Sequence, residues 1–250
     1  MNNSNMRLLV SVRDAVEAAA ARVGGADIID AKEPASGALG AVDLITFRHI
    51  VAEVAGTRTV TAALGDAVDV RALARTAEAF ARAGAGLVKI GFAGIQSPIR
   101  VMSLLAAARE GAAADAGVIA TTYADADRVA SLDPFAMIDA AVRAGSTGIL
   151  LDTADKQGPG LTGLISQERL YSWVRTAHDA RLLVALAGKL TADDLGDVSD
   201  AGADIVGVRG AACDRGRTGQ IAAARVRALR SAVSRRSALA PVPDPVSASE

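Results

Sequence analysis

The sequence predicts an α/β chain closed into a single (β/α)8 barrel, and three observations carry that prediction. Eight short runs rich in Val, Ile, Leu and Thr recur along the 250 residues, spaced by Ala-, Arg- and Glu-rich stretches. The runs are continuously apolar rather than alternating, as expected of parallel strands covered on both faces. A phrase of small residues leading into an apolar pair returns as GGADII, AGAGLV, AGSTGI and AGADIV, marking successive helix-to-strand turns. Eight βα units within this length suit one closed barrel. An open doubly wound sheet competes, but it usually has fewer strands. It also often carries a G-x-G-x-x-G turn after its first strand, and this sequence has none there.

The elements follow in order. LLVSV (8–12) opens the barrel, and DIIDA (27–31) follows a short helix that Gly25 closes. RTVTAAL (58–64) is third. The helical pattern VDVRALARTAEAFARAG, ending at Gly84, leads to GLVKIGF (86–92). GVIATTY (117–123) is fifth, and PFAMIDAAVRAG, closed at Gly145, precedes TGILLD (147–152). RLLVALA (181–187) and DIVGVRG (204–210), with Gly202 between them, complete the set. Glycine just past a helical pattern is the residue a helix C-terminus favours. The barrel is expected over residues 1–236. Residues 237–250, SALAPVPDPVSASE, read as a disordered tail.

Composition excludes several function classes. With a net charge of −1 and 3% aromatic residues, the chain offers neither a basic footprint nor a stacking platform for nucleic acid. No apolar run reaches the length of a membrane span, and MNNSNMR lacks the layout of a signal peptide. The lone Cys213 cannot form an internal disulfide, so a reducing cytoplasm is the expected compartment. No cluster has metal-ligand spacing, so no metal is expected. His49 and His178 fall on helical patterns away from the strand ends. Asp66 and Asp125 end the third and fifth strands, where they could serve proton transfer or cap the next helix.

The basic residues are more informative. Only four of the 27 are lysine, and Lys32, Lys89, Lys156 and Lys189 each lie at or just beyond an apolar run. Arginine stays protonated, whereas a buried lysine loses its proton readily and can attack a carbonyl to form an imine. Lys32 follows the second strand, Lys89 lies within the fourth, and Asp152 closes the sixth with Lys156 beyond it. All are even-numbered strands, whose inward side chains can share a layer at the barrel mouth. Asp30 shares a strand face with Lys32. Lys89 sits between Val88 and Ile90, and a cation buried there needs a carboxylate, for which Asp30 and Asp152 are the candidates. Clustered lysines depress one another's pKa, which favours class I aldolase chemistry. The last two strand ends, ALAGK (185–189) and GVRGAA (207–212), resemble phosphate loops. Gly188, Gly210 and Ala211 would supply backbone N–H groups, and Arg209 and Lys189 would supply charge.

These residues also form a recognisable set. DIIDAKEP (27–34), SGALG (36–40), LVKIGF (87–92), TYADADR (122–128), LLDTADK (150–156), ALAG (185–188) and GVRGAAC (207–213) resemble the (5-formylfuran-3-yl)methyl phosphate synthase family. The likeness runs from about Leu8 to Val233. It implies a TIM barrel condensing two molecules of glyceraldehyde 3-phosphate into a phosphorylated furan aldehyde, for methanofuran-type one-carbon carriers. It further implies Lys32 as the Schiff-base lysine and Lys89 as the proton-transfer group, with Asp30, Asp152 and Lys156 assisting. Lys189 lies outside the pattern. The expected partner is thus a phosphorylated triose, with no added cofactor, in a homo-oligomeric enzyme. Two alternatives stay open: another class I phosphosugar aldolase using the same lysines, or a non-catalytic barrel that binds a phosphorylated ligand.

Overall fold

A computed structural model describes residues 6–67 and 69–239. The strands are β1 (Arg7–Val12), β2 (Ile28–Ala31), β3 (Thr59–Asp66), β4 (Leu87–Gly91), β5 (Gly117–Tyr123), β6 (Gly148–Asp152), β7 (Leu183–Leu186) and β8 (Ile205–Val208). Each pairs in parallel with the next, and β8 closes onto β1. Every boundary falls within two residues of its predicted run. The helices among the described residues are α1 (Ala15–Val23), α2 (Leu44–Val54), α3 (Val70–Arg82), α4 (Pro98–Ala112) and α5 (Pro134–Arg143), then α6 (Leu161–Leu164), α7 (Gln167–Asp179), α8 (Leu195–Asp200) and α9 (Ala223–Leu239). The last helix takes in residues 237–239 of the expected tail; residues 240–250 lie outside the described residues.

Two separate cores explain why the strands read as continuously apolar. Leu9, Ile28, Ala63, Ile119, Leu150 and Ile205 fill the lumen, while Val10, Ile29, Ala62, Val88 and Leu151 face the helices. Successive residues of a strand point to opposite faces, so both faces need apolar side chains. Phe47, Leu104 and Trp173 are buried in the outer layer. Burial of each such side chain stabilises by roughly 1.5–3 kcal/mol.

Helix starts and stops follow local chemistry. Asp14, Asp43, Asp69, Ser97 and Ser166 accept hydrogen bonds from backbone N–H groups of the first turns of their helices. Such caps contribute about 1 kcal/mol each. They also pin the ends of the βα loops, which form the rim of the barrel mouth. Gly25, Gly84, Gly145 and Gly202 take positive φ, 89°, 107°, 69° and 89°, the conformation that stops a helix and that a side chain disfavours. No helix among the described residues is long and apolar enough to cross a membrane.

Candidate active site

At the C-terminal mouth of the barrel, a cavity of about 270 Å³ is lined by Lys32, Lys89, Asp152 and Lys156, together with the loops after β7 and β8. Parallel register assembles its floor. Ser11 of β1, Asp30 of β2 and Thr61 of β3 lie side by side. Asp30 is 0% exposed and accepts from Ser11 Oγ at 2.8 Å and Thr61 Oγ1 at 2.7 Å. Lys89 stands opposite Ala63 on β3, whose small side chain leaves room for the lysine to cross to Asp30. Its Nζ lies 2.5 Å from Asp30 Oδ2. Of the two carboxylates the sequence offered to Lys89, Asp30 is therefore the partner. A buried charge so held is fixed in place, because leaving either partner alone is costly.

Asp152 pairs with the other lysine. Lys156 Nζ donates to Asp152 Oδ1 at 2.7 Å and also reaches the Thr153 carbonyl. Burial works to raise the Asp152 carboxyl, but Lys156 and then Lys32 outweigh it and hold the group below the usual carboxylate range.

Lys32 differs from both. It is 8% exposed, and no carboxylate of the described residues lies within ion-pair distance of its Nζ. Burial lowers its pKa to about 8, with Lys89 and Lys156 adding to the effect and Asp152 and Asp30 opposing it. The mouth thus holds two neutralised lysines and one amine poised to lose its proton. That is the requirement for nucleophilic attack on a carbonyl.

The anion loops carry one correction. Gly188, Arg209, Gly210 and Ala211 all line the cavity. Arg209, however, spends its guanidinium inside the protein. Its Nη groups bind both oxygens of Glu17, at 2.7 and 3.1 Å, and the carbonyls of Ser11 and Gly219. Its Nε binds the Arg217 carbonyl at 2.7 Å. All five N–H groups of a guanidinium are then occupied, leaving none for a phosphate. Arg209 fastens the loop after β8 to β1 and α1. Arg217, which the sequence reading passed over, brings charge to this wall beside Lys189.

Gly188 and Lys189 take positive φ in succession, 111° and 57°, forming the tight turn that ends β7. A Cβ on Gly188 would meet Thr153 Cγ2 at 2.8 Å. Lys189 is exposed and reaches the Gly158 carbonyl, which joins the loops after β6 and β7. The two uncertain acids are braces. Asp125 accepts from the amides of Ala154 and Asp155, at 2.7 and 2.8 Å, shaping the loop that carries Lys156. Asp66 accepts from the Tyr123 hydroxyl at 2.6 Å and from the Ala93 amide at 3.0 Å. Burial, then the Asp66 charge, push the Tyr123 hydroxyl far up, so it stays a donor. His49 lies exposed on α2, and His178 on α7 pairs with Asp204 at 3.0 Å. Cys213 is buried, and burial pushes its thiol up, so it is no thiolate nucleophile.

The family model for 4-HFC-P synthase matches residues 8–230. The chain is 40% identical over 234 residues to (5-formylfuran-3-yl)methyl phosphate synthase of Methanopyrus kandleri, covering 91% of this chain and 99% of that one. It is 38% identical over 220 residues to the protein of the same name from Methanococcus maripaludis, covering 84% and 91%. Among solved structures it resembles 3-hexulose-6-phosphate synthase from Salmonella typhimurium, with a TM-score of 0.62 at 19% identity, covering 92% and 100%. That likeness speaks to the barrel alone. The match along nearly the whole chain, with relatives of one name, shows that the protein belongs to the (5-formylfuran-3-yl)methyl phosphate synthase family, the 4-HFC-P synthases.

Proposed function

We propose that the chain condenses two molecules of glyceraldehyde 3-phosphate into (5-formylfuran-3-yl)methyl phosphate through an imine on Lys32. The observation that carries this reading is the contrast among the three lysines. Lys89 and Lys156 are each bound to a carboxylate, while Lys32 has none among the described residues and burial lowers its pKa to about 8. Lys32 is the amine able to attack, and the other two are placed to act as proton donors or charge partners.

The chemistry follows from these roles. Lys32 Nζ attacks the carbonyl of one triose phosphate, and loss of water gives the imine. Removal of a proton from the adjacent carbon gives an enamine, whose carbon adds to the aldehyde of the second triose. Lys89, held by Asp30, is the group assigned to proton transfer in these steps. Asp152 and Lys156 flank the developing oxygen charges. Two C3 sugar phosphates reach the six-carbon aldehyde by losing one phosphate and two waters overall, so the sum needs no oxidant. Backbone N–H groups near Gly188, Gly210 and Ala211 would receive a substrate phosphate. The product class fits the supply of a furan for methanofuran-type carriers.

Incubating the protein with glyceraldehyde 3-phosphate and identifying the product by mass and ultraviolet absorbance tests the reading. A furan aldehyde phosphate, with release of inorganic phosphate, is expected. A non-aromatic hexose or ketose bisphosphate would identify a different aldolase, and an unchanged triose would remove the enzymatic reading.

A further inference from the structure

Six cations lie on the wall of the cavity: Lys32, Lys89, Lys156, Lys189, Arg209 and Arg217. Three are neutralised by buried partners, Lys89 by Asp30, Lys156 by Asp152 and Arg209 by Glu17. Lys32 must be uncharged to act as an amine. Lys189 is exposed, a flexible point charge held by the Gly158 carbonyl alone among the described residues, so it fixes no orientation. Arg217 remains. It has no carboxylate within ion-pair distance among the described residues, yet both ends of its fork are held. Nη1 donates to the Pro34 carbonyl and Nη2 to the Gly37 carbonyl, each at 2.6 Å.

Those two carbonyls belong to the loop directly after Lys32. Arg217 itself is anchored from behind, because Arg209 Nε grips its own carbonyl. The guanidinium is therefore set at a defined place relative to the Lys32 strand end, with its Nε–H and one N–H on each Nη not used by these bonds. A planar fork with fixed orientation suits an anion that can take two parallel hydrogen bonds, such as a phosphate monoester. We infer that Arg217 is the specificity-determining cation of this site: it binds the phosphate of the triose that forms the imine, and its ties to Pro34 and Gly37 set that phosphate at a fixed reach from Lys32. The inference rests on the imine reading above and adds which cation selects phosphorylated substrate.

The test compares two aldehydes in borohydride trapping at Lys32, glyceraldehyde 3-phosphate and glyceraldehyde. In Arg217→Ala the half-saturating concentration of the phosphorylated aldehyde should rise about 30-fold, the scale of a lost charge-assisted pair. Trapping of glyceraldehyde should change by less than about threefold, which also reports that the variant is folded. Inorganic phosphate should compete with substrate in the parent and lose most of that competition in the variant. Arg217→Lys keeps charge but cannot bridge both carbonyls, so it should recover only part of the affinity, and it carries the comparison if the alanine variant does not fold. Equal losses with both aldehydes would make Arg217 a loop fastener and overturn the inference. So would unchanged affinity for both. A parent that traps glyceraldehyde 3-phosphate but ignores inorganic phosphate overturns the phosphate site alone, whereas a parent that traps neither aldehyde overturns the imine reading beneath it.

Discussion

Asp30→Asn removes one charge from the floor of the cavity while keeping almost the same shape, and its cost can be worked out from the structure. Asp30 receives three donors on two oxygens, Lys89 Nζ at 2.5 Å, Ser11 Oγ at 2.8 Å and Thr61 Oγ1 at 2.7 Å. An asparagine offers one acceptor oxygen and turns an NH2 toward the remaining donors. Lys89, 5% exposed, is left without its counter-charge. Breaking such a pair typically costs about 3–5 kcal/mol. Urea unfolding followed by circular dichroism should show a loss of about 3–5 kcal/mol at pH 7. The double variant Asp30→Asn with Lys89→Met should recover much of it, since no unpaired charge remains. A loss under about 1 kcal/mol, or a double variant as poor as the sum of the singles, would refute the idea that this pair is a mutually dependent unit.

Two other outcomes follow from the site. Imine formation at saturating aldehyde should rise with pH through a midpoint around pH 8 and level off above it, because burial, aided by Lys89 and Lys156, holds Lys32 there. At pH 7 that leaves about 9% free amine, roughly 200 times the fraction of an ordinary lysine. Lys156→Met removes a repelling charge and should move the midpoint up, while Asp152→Asn removes an attracting one and should move it down; a midpoint near 10.5 in the parent would contradict the assignment. Gly188→Ala should lose stability and substrate binding together, since it must hold φ at 111° and place a Cβ 2.8 Å from Thr153 Cγ2. Gly210→Ala should fold normally, its Cβ meeting nothing closer than 3.7 Å, so thermal melts that rank the two variants the other way would count against this reading.

Much of this was legible before any coordinates. The eight strands could be placed because parallel strands buried on both faces leave unbroken apolar runs. The four lysines stood out because each interrupts or ends such a run. What the sequence left open depended on register and on contacts between distant segments. Whether Lys89 pairs with Asp30 or Asp152 depends on the room that Ala63 leaves beside it on β3, and an alanine in a strand carries no such signal. Arg209 looked like a phosphate ligand because it sits between glycines at a strand end. Its true partner, Glu17, is 192 residues away on α1. Arg217 was hidden in the polar stretch CDRGRTG, where no periodicity separates a functional arginine from a solvated one. Asp66 and Asp125 also looked alike, since a strand-end acid can face a ligand or brace a loop with equal ease. The structure makes both of them braces.

On the proposed mechanism Lys32, and neither of its paired neighbours, forms a covalent bond to substrate. Borohydride added together with glyceraldehyde 3-phosphate should inactivate the protein and leave one triose-derived mass, which peptide mapping should place on Lys32. Lys32→Arg, which keeps the charge and loses the nucleophile, should take up no such mass and retain little turnover. A label on Lys89, Lys156 or Lys189 in the parent, or normal turnover in Lys32→Arg, would contradict the account.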